Sequence, residues 1–417
     1  MSRFRAGPAT PALLLLLTAL LVPSPAHAAG PNPVVRWNSN AQQAIYEVAR
    51  QAPYVAPRSF AMVHGAVYDA VNAIAGTPYE PYLIAPPARR GDSTEAAVAA
   101  ASYRVLLSLF PAQAASLDQM YASALAVIPD GRAKSGGIAA GTRAASAMIA
   151  ARAHDGAFAD VSWNVSTAPG QWRPTPPTLA ADGAWVGGVK PFAIRRGDQF
   201  RTSGPPALTS KAYARDLNEI TAIGGVTSTV RTADQTSAAI WWHDRRLTEW
   251  EIKRQVADRQ GLSTLQAARF FALAEIANAD SLIACFNEKK FWNFWRPVTA
   301  VREAAADGNP RTSPDPSWMP LLVTPPFPDY TSGHTCSTST IMATMRAFFG
   351  RDDIPFSAYS ADAGTTRSFP SFSAALNEVI EARIWGGVHY RSADVQGARI
   401  GTGVAEYVLA HEFRRRP

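Results

Sequence analysis

The sequence reads KKFWNFWRP at residues 289–297, YTSGHT at residues 330–335 and RIWGGVH at residues 383–389. Asp394 follows the last of these three stretches. Together they supply cationic side chains, two imidazoles, a carboxylate and a Ser-Gly pair that can begin a helix. These groups suit a tetrahedral or trigonal-bipyramidal oxyanion, because cations, hydroxyls and helix N-termini all bind negatively charged oxygens.

The first stretch carries two cations among aromatic residues. Lys289 and Arg296 are seven residues apart, so a single helix that Pro297 ends would place both on one face. A lysine offers a compact charge and an arginine a forked donor, a combination that holds the oxygens of a phosphate-like group. Taken alone, such a pair is more often a solvated basic surface. The neighbouring Phe and Trp side chains favour burial instead.

The second stretch predicts the N-terminus of a helix. Ser332 and Gly333 lie between a proline-rich loop and an apolar helical pattern, where backbone N–H groups and the helix dipole favour an anion. His334 follows directly and is placed to exchange a proton with a bound oxyanion. By itself, Ser-Gly-His is more often an ordinary N-cap.

The third stretch predicts the end of a helix. A helical pattern from Ser373 brings in Arg383, and the glycines at 386–387 then break the helix and permit a close backbone approach. An imidazole that bonds an electrophilic centre needs its second nitrogen held by a carboxylate or a carbonyl. Asp394 is the nearest candidate to hold His389 in this way.

The rest of the chain has the periodicity of packed helices. Apolar residues recur at helical spacing, no alternating pattern predicts a sheet, and His64 and Asp69 are interpreted as packing residues. Residues 157–206 lack periodicity and indicate a long ordered loop. Its aromatic side chains either wall a pocket or pack across two helical layers. The sequence therefore predicts an all-α fold of two packed helical bundles, residues 29–206 and 207–417.

The N-terminus predicts a signal peptide, residues 1–28. Arg3 and Arg5 precede an apolar run at 11–22, and Ala-His-Ala at 26–28 offers a small-x-small cleavage site. The run is shorter than the roughly 20 residues of a membrane-spanning helix. No other stretch is interpreted as long and apolar enough to span, so we expect a secreted or periplasmic protein without a membrane partner.

The charge distribution bears on nucleic-acid binding, and the cysteine content bears on disulfide bonds. The formal net charge is +7, yet the charges are dispersed and the basic residues cluster only at the tail, residues 414–416. We therefore expect no nucleic-acid partner. Two cysteines, Cys285 and Cys336, make no disulfide framework and are either free buried thiols or one bridge.

The order of the motifs resembles the signature shared by vanadium-dependent haloperoxidases and the type 2 phosphatidic acid phosphatase superfamily. Lys-x6-Arg-Pro, Ser-Gly-His and Arg-x5-His followed by Asp occur in that order, and the flanking residues resemble a secreted bacterial haloperoxidase-like branch. The resemblance is most specific over residues 265–412. It implies two helical bundles of the vanadium chloroperoxidase type. Three positions depart from the usual pattern: Thr331 before Ser-Gly-His, Ala382 before the arginine, and Asp394 five residues after His389 where four is usual.

The resemblance also implies roles for the motif residues. His389 would bond vanadium or attack phosphorus, His334 would be the acid–base residue, and Asp394 would orient His389. The oxygens of vanadate or phosphate would be held by Lys289, Arg296, Ser332, Gly333 and Arg383.

Two reactions share these residues, because vanadate in trigonal-bipyramidal geometry imitates the transition state of phosphoryl transfer. The first is that of a secreted vanadate-dependent haloperoxidase, which oxidises halide with hydrogen peroxide at vanadate bound to His389. The second is that of a soluble acid phosphatase, which cleaves a phosphoester through a phosphohistidine and needs no vanadate. A third hypothesis is a non-catalytic, secreted anion-binding protein. It predicts the loss of at least one catalytic position, whereas both histidines and all three cations are present.

Overall fold

The computed structural model describes Met1, residues 32–244, Arg246 and residues 250–417. Apart from Met1, the predicted signal peptide lies outside this part of the chain. The described residues contain thirteen α-helices and one two-stranded sheet. The all-α fold class is therefore confirmed.

The N-terminal part contains five α-helices. They are α1 (Pro33–Gln42), α2 (Ala56–Ile74), α3 (Thr94–Leu109), α4 (Ala114–Ala126) and α5 (Arg132–Arg152). A π-helical segment, Gln43–Val48, continues α1, and a short 3-10 helix, Pro111–Gln113, precedes α4.

The C-terminal part contains eight α-helices. They are α6 (Lys211–Ile223), α7 (Ala233–His243), α8 (Ile252–Arg259), α9 (Thr264–Trp292), α10 (Pro297–Arg302), α11 (Gly333–Phe349), α12 (Phe372–Trp385) and α13 (Arg391–His411). Two further 3-10 helices are Val186–Gly188 and Ala304–Ala306.

Five of the described α-helices begin at a hydroxyl side chain that caps the helix. In each case the side-chain oxygen accepts a hydrogen bond from a backbone N–H of the first turn, which would otherwise lack a partner. The capping residues are Ser93, Ser210, Thr232, Ser263 and Ser371.

Helix α9 is the central helix of the fold. It packs against α2, α11 and α13. By length and composition it could span a membrane, so the expectation that no stretch beyond the N-terminus could do so is wrong. Its apolar segment is 94% buried inside the protein, and packing against other helices accounts for its composition.

One small sheet was not predicted from the sequence. Strands β1 (Phe356–Ser360) and β2 (Thr365–Phe369) pair antiparallel, with Phe356 opposite Phe369. Each strand has five residues, and the residues of β2, TTRSF, do not alternate between apolar and polar side chains. The rings of Phe356 and Phe369 lie 5.4 Å apart and join this hairpin to the core.

The loop over residues 157–206 is ordered, as predicted. Trp172 is fully buried, and its backbone N–H donates to the carbonyl oxygen of Asn293 at 2.8 Å. The carboxylate of Asp280, in α9, accepts hydrogen bonds from three consecutive N–H groups of the loop, those of residues 192–194. Trp172 therefore packs against the helices, as the second of the two interpretations of this loop expects.

His64 and Asp69 lie in the core as packing residues, as expected. His64 Nε2 lies 2.9 Å from the Asn38 side-chain amide, and Asp69 accepts three hydrogen bonds from backbone N–H groups of residues 82–84.

The hydrophobic core crosses the predicted domain boundary. Residues Asn32–Pro417 form one compact unit. A single cluster of buried apolar side chains includes Val34 of α1 and Phe413 after α13. The division at residues 206 and 207 stays a prediction.

Candidate functional site

The two cations of the first motif reach the site from different elements. Helix α9 ends at Trp292, and Asn293 adopts a left-handed conformation with φ of 47°. Arg296 lies in extended backbone at the N-cap of α10, and Pro297 begins that helix. The prediction of one helix carrying Lys289 and Arg296 is therefore wrong. Pro297 acts as a helix-starting residue, which its fixed φ and missing N–H allow.

Lys289 is fully buried at the C-terminal end of α9. Its Nζ donates hydrogen bonds to the carbonyl oxygens of Pro328 and Asp329, at 2.8 and 2.9 Å. Burial lowers the pKa of Lys289 to about 8, because a charged ammonium is poorly solvated there. Lys289 therefore joins α9 to the loop that carries the second motif.

Arg296 is fully buried and only partly satisfied. Its Nε donates to the carbonyl oxygen of Phe327 at 2.8 Å, and its Nη1 donates to that of Val388 at 2.8 Å. Nη2 is buried and has no hydrogen-bond partner among the described residues. An unpaired buried donor is costly, so this nitrogen is ready to bind an anion.

Ser332 begins α11, as predicted, yet it does not cap the helix with its side chain. Its Oγ is buried and makes no close hydrogen bond within the described part of the chain, although the hydroxyl lies near enough to Asp394 to lower the pKa of that carboxyl. This differs from the five capping residues of the other helices. The hydroxyl of Ser332 and the N-terminal N–H groups of α11 are thus available to a bound oxyanion.

Arg383 lies in the last turn of α12 and is fully buried. The helix ends at the Gly pair, as predicted, and Gly387 has φ of +74°. A Cβ on Gly387 would lie 2.3 Å from the carbonyl oxygen of Gly224. Only glycine permits this close approach, which returns the chain so that His389 lies against Arg296.

His389 is buried between a cation and a carboxylate. Its Nε2 lies 3.2 Å from Arg296 Nη1, and its Nδ1 lies 2.8 Å from Asp329 Oδ1. Burial, with the charges of Arg296, Lys289 and Arg383, holds the pKa of His389 well below its ordinary value. The imidazole is therefore neutral at neutral pH. The Asp329 carboxylate lies at ion-pair distance from Nδ1, although neither of its oxygens makes a hydrogen bond among the described residues. A carboxylate in this position favours the proton on Nδ1 and a lone pair on Nε2.

Asp329 is a carboxylate next to His389 to which the sequence interpretation gave no role. It is fully buried and lies 3.7 Å from Arg296 Nη1 as well as close to His389. Burial raises the pKa of Asp329 to about 7, although the charges of Arg296 and Lys289 oppose the rise. A carboxylate three residues before Ser332 was the available signal, but nothing in the spacing tied it to His389.

Asp394 does not have the contact expected of it. It lies in the first turn of α13, and neither of its carboxylate oxygens has a hydrogen-bond partner among the described residues. Burial raises the pKa of Asp394 well above its ordinary value, while Ser332 and the charge of Arg383 oppose this. Because helix α13 begins at Arg391, Asp394 lies in the first turn of that helix. Asp329, rather than Asp394, lies beside Nδ1 of His389.

Two histidines line the mouth of the site. The rings of His334 and His243 are nearly parallel, with centroids 6.1 Å apart. His243 is the last residue of α7, far from the motifs in sequence, and sequence reasoning gave it no role. Both line a cavity of about 480 Å³ that reaches His389 and Gly333.

The two cysteines lie directly behind the site. Both are free and buried. Cys285 Sγ lies 3.2 Å from Thr331 Oγ1, and Cys336 Sγ lies 3.7 Å from the same oxygen. Of the two alternatives left by the sequence, the structure contains the free thiols.

The arrangement fits an oxyanion. We define the oxyanion site as Lys289, Arg296, Ser332, Gly333, Arg383 and His389. Its three buried cations outnumber the two neighbouring buried carboxylates, Asp329 and Asp394, so the site has a net positive charge. With the unpaired Arg296 Nη2 and Ser332 Oγ, this donor set suits vanadate or phosphate.

Comparisons with known proteins agree with the motifs. Residues 269–416 match the family model described as the VCPO second helical-bundle domain. The chain is 28% identical over 192 residues to vanadium chloroperoxidase from Curvularia inaequalis, an alignment that covers 36% of this chain and 31% of that protein. The alignment thus spans about a third of that relative's length.

Solved structures share the fold over most of the chain. A bacterial vanadium-dependent iodoperoxidase superposes with a TM-score of 0.78 and 24% identity, over 92% of this chain and 96% of its own. The apo form of a bacterial vanadium-dependent chloroperoxidase superposes with a TM-score of 0.69 and 18% identity, over 86% of this chain and 93% of its own. At these identities the likeness concerns the fold.

Proposed function

We propose that the protein is a secreted, vanadate-dependent haloperoxidase, because residues 269–416 match the model of the second helical-bundle domain of vanadium chloroperoxidase. It would oxidise halide with hydrogen peroxide. The observation that carries the proposal is a neutral His389 whose Nε2 faces a buried cation, in a pocket with unpaired donors for an oxyanion.

Several residues of the oxyanion site would contribute to binding the anion. Arg296 would present Nη2 and Ser332 its hydroxyl, and Gly333, which begins α11, lines the cavity together with His389. Lys289 and Arg383 add positive charge that water does not screen, since both are fully buried. These groups would hold the oxygens of a bound vanadate.

His389 would be the single protein ligand of vanadium. Asp329 Oδ1 lies 2.8 Å from Nδ1 and would favour the proton there, so that Nε2 would keep the lone pair that bonds the metal. When bound, vanadate supplies a Lewis-acidic centre that activates hydrogen peroxide toward halide. The surrounding cations withdraw negative charge from that centre.

His334 would handle protons at this site. It follows Gly333 in the first turn of α11 and lines the cavity through which hydrogen peroxide reaches His389. From there it can accept the proton of hydrogen peroxide and return a proton to the oxygen that leaves as water. The ring of His243 lies next to it, with the ring centroids 6.1 Å apart.

The test is a halide oxidation assay with metal analysis. The purified protein is loaded with vanadate and given hydrogen peroxide with iodide, bromide or chloride, with triiodide formation as the iodide readout. His389→Ala is the control and should lose turnover. No halide oxidation after loading, together with hydrolysis of p-nitrophenyl phosphate, would identify an acid phosphatase instead. Retained oxyanion binding with neither activity would identify an anion-binding protein. N-terminal sequencing of exported material tests secretion and cleavage after Ala28.

A further inference from the structure

The buried thiols of Cys285 and Cys336 have no part in the proposed reaction, yet they lie beside the oxyanion site. Cys285 is in α9, and Cys336 is in the first turn of α11. Their sulfurs lie 3.2 and 3.7 Å from Thr331 Oγ1, and Cys285 Sγ also lies 3.4 Å from the Thr331 carbonyl oxygen. The two thiols are within hydrogen-bonding reach of each other as well. A pair of thiols therefore meets at the residue that precedes Ser332.

One helical turn separates each thiol from the cavity. Leu282 and Gly333 line the cavity. Leu282 precedes Cys285 by three residues in α9, and Gly333 precedes Cys336 by three residues in α11. Residues at this spacing are neighbours on a helix surface. Neither thiol is exposed to solvent, so a small oxidant that fills the inner end of the cavity comes nearest to them. Under the proposed function that oxidant is hydrogen peroxide.

The surroundings of the two thiols make them chemically unequal. Burial raises the pKa of Cys336 well above its ordinary value, because a thiolate is poorly solvated there. Burial acts in the same direction on Cys285, but hydrogen bonding with Cys336, the charge of Lys289 and the Thr331 hydroxyl outweigh it and hold the pKa of Cys285 below its ordinary value. Cys285 is therefore the better nucleophile, and Cys336 keeps its proton. This is the arrangement of an attacking thiol and a resolving thiol.

We propose that Cys285 and Cys336 are a modification site, a dithiol that hydrogen peroxide oxidises to a disulfide and that weakens oxyanion binding when oxidised. This inference rests on the proposed function for the supply of peroxide. The Cys285 thiolate attacks peroxide, breaks its O–O bond and becomes a sulfenic acid, and the other oxygen takes up a proton and leaves as water. Cys336 Sγ then attacks the sulfenic sulfur, and its proton leaves with the hydroxyl as a second water. Overall, 2 Cys–SH + H₂O₂ → Cys–S–S–Cys + 2 H₂O.

Oxidation would act on the oxyanion site through the two helices. A disulfide would join α9 to the first turn of α11 and bring the two sulfurs closer together than two thiols lie. Thr331 would lose its contacts with both thiols, and the helix ends that carry Lys289 and Gly333 would shift with the sulfurs. A misplacement of about 1 Å at such a site can cost about 100-fold. We therefore expect the oxidised protein to bind vanadate about tenfold more weakly, or weaker still.

Oxidation is measured first, without vanadate or halide. The purified protein is reduced, freed of reductant and exposed to hydrogen peroxide. Alkylation after unfolding then counts the thiols, and mass spectrometry gives the intact mass. Because the chain has only these two cysteines, we expect both thiols to be lost together in a monomer that is lighter by two hydrogens. Cys336→Ser should stop at a sulfenic acid, one oxygen heavier. Cys285→Ser should lose its remaining thiol about tenfold more slowly than the wild type, or slower still.

Vanadate affinity is measured next, by equilibrium dialysis after the peroxide has been removed. The oxidised wild type should bind vanadate about tenfold more weakly than the reduced protein, or weaker still. Dithiothreitol, itself removed before dialysis, should restore the affinity. The matched control is the double variant C285S/C336S, which receives the same peroxide and keeps every other oxidisable side chain. Its vanadate affinity should not change on exposure to peroxide.

Thiols that survive peroxide, or a disulfide between two protein molecules, overturn the modification site. The thiol count and mass of the wild-type protein decide this even if the variants fail to fold. A disulfide that leaves vanadate affinity unchanged, or an equal loss of affinity in C285S/C336S, overturns its effect on oxyanion binding. None of these measurements needs turnover. If triiodide does not form, yet the disulfide forms and weakens vanadate binding, the haloperoxidase function alone fails.

Discussion

The contact between His389 and Asp329 makes the most direct prediction about the site. Asp329→Asn keeps the shape of the side chain and removes its charge. In the wild-type protein Oδ1 lies 2.8 Å from Nδ1 of His389. An asparagine that turns its N–H toward Nδ1 favours the other tautomer, with the proton on Nε2. The nitrogen that should bond vanadium would then be blocked.

An orienting role and a purely electrostatic role of Asp329 predict opposite changes of vanadate affinity in D329N. Removing one negative charge from a site of excess positive charge should, on Coulomb grounds alone, tighten the binding of an anion. Loss of a partner that orients a metal-bound histidine typically costs about 10–100-fold in affinity or activity, or about 1.4–2.7 kcal/mol. We therefore expect vanadate affinity to fall by that factor in D329N.

Asp394→Asn is the matched control, because it removes the same charge from the same buried region. Asp394 has no hydrogen bond to His389, so D394N should bind vanadate as tightly as the wild type or more tightly. Equilibrium dialysis with vanadium analysis gives the affinities. Nitrogen-15 NMR of labelled histidine reads the tautomer of His389, with the proton on Nδ1 in the wild type and on Nε2 in D329N.

The orienting role of Asp329 is refuted if D394N weakens vanadate binding and D329N does not. Unchanged or tighter vanadate binding in D329N, with a loss of tenfold or more in D394N, would return the orienting role to Asp394. An unchanged tautomer in D329N would also contradict the argument, whatever the affinity.

Three further predictions concern pH, a hydroxyl and a glycine. Burial lowers the pKa of Lys289 to about 8, and a bound anion raises it again. Vanadate affinity, corrected for the protonation of vanadate itself, should thus fall above pH 8 by up to tenfold more per pH unit in the wild type than in Lys289→Met; an equally steep fall in the two proteins would contradict this. Ser332→Ala should weaken vanadate binding about tenfold, the loss of one charge-assisted hydrogen bond of about 1.5 kcal/mol, with little change in stability. Ser371→Ala is the control for this variant. It should lower the free energy of unfolding by about 1 kcal/mol, because Ser371 caps α12. Urea unfolding measures the stability of both variants. Gly387→Ala should lower vanadate affinity. It should also lower the free energy of unfolding by more than the ~1–2 kcal/mol of a left-handed alanine, because its Cβ would meet the carbonyl oxygen of Gly224. Wild-type stability in G387A would contradict that contact.

Local sequence patterns were sufficient for the helices and for the candidate residues. Helix α11 begins at Ser332 and α12 ends at the Gly pair because capping and helix termination depend on neighbouring residues. The local pattern gave a wrong helix boundary at Pro297, because a proline can either follow the end of one helix or begin the next. It also missed the hairpin at residues 356–369, whose strands depend on packing against the core.

The sequence by itself determined the inventory of the site: three cations, two motif histidines and a helix N-terminus, in an order that resembles one superfamily. Only the tertiary structure decided which carboxylate serves His389 and which second histidine stacks on His334. Asp329 and His389 are 60 residues apart and lie 2.8 Å from each other, and His243 comes from a helix outside the motifs. Spacing along a chain fixes neighbours within one helix or turn. Contacts between elements depend on how the whole core packs, and no local pattern encodes that.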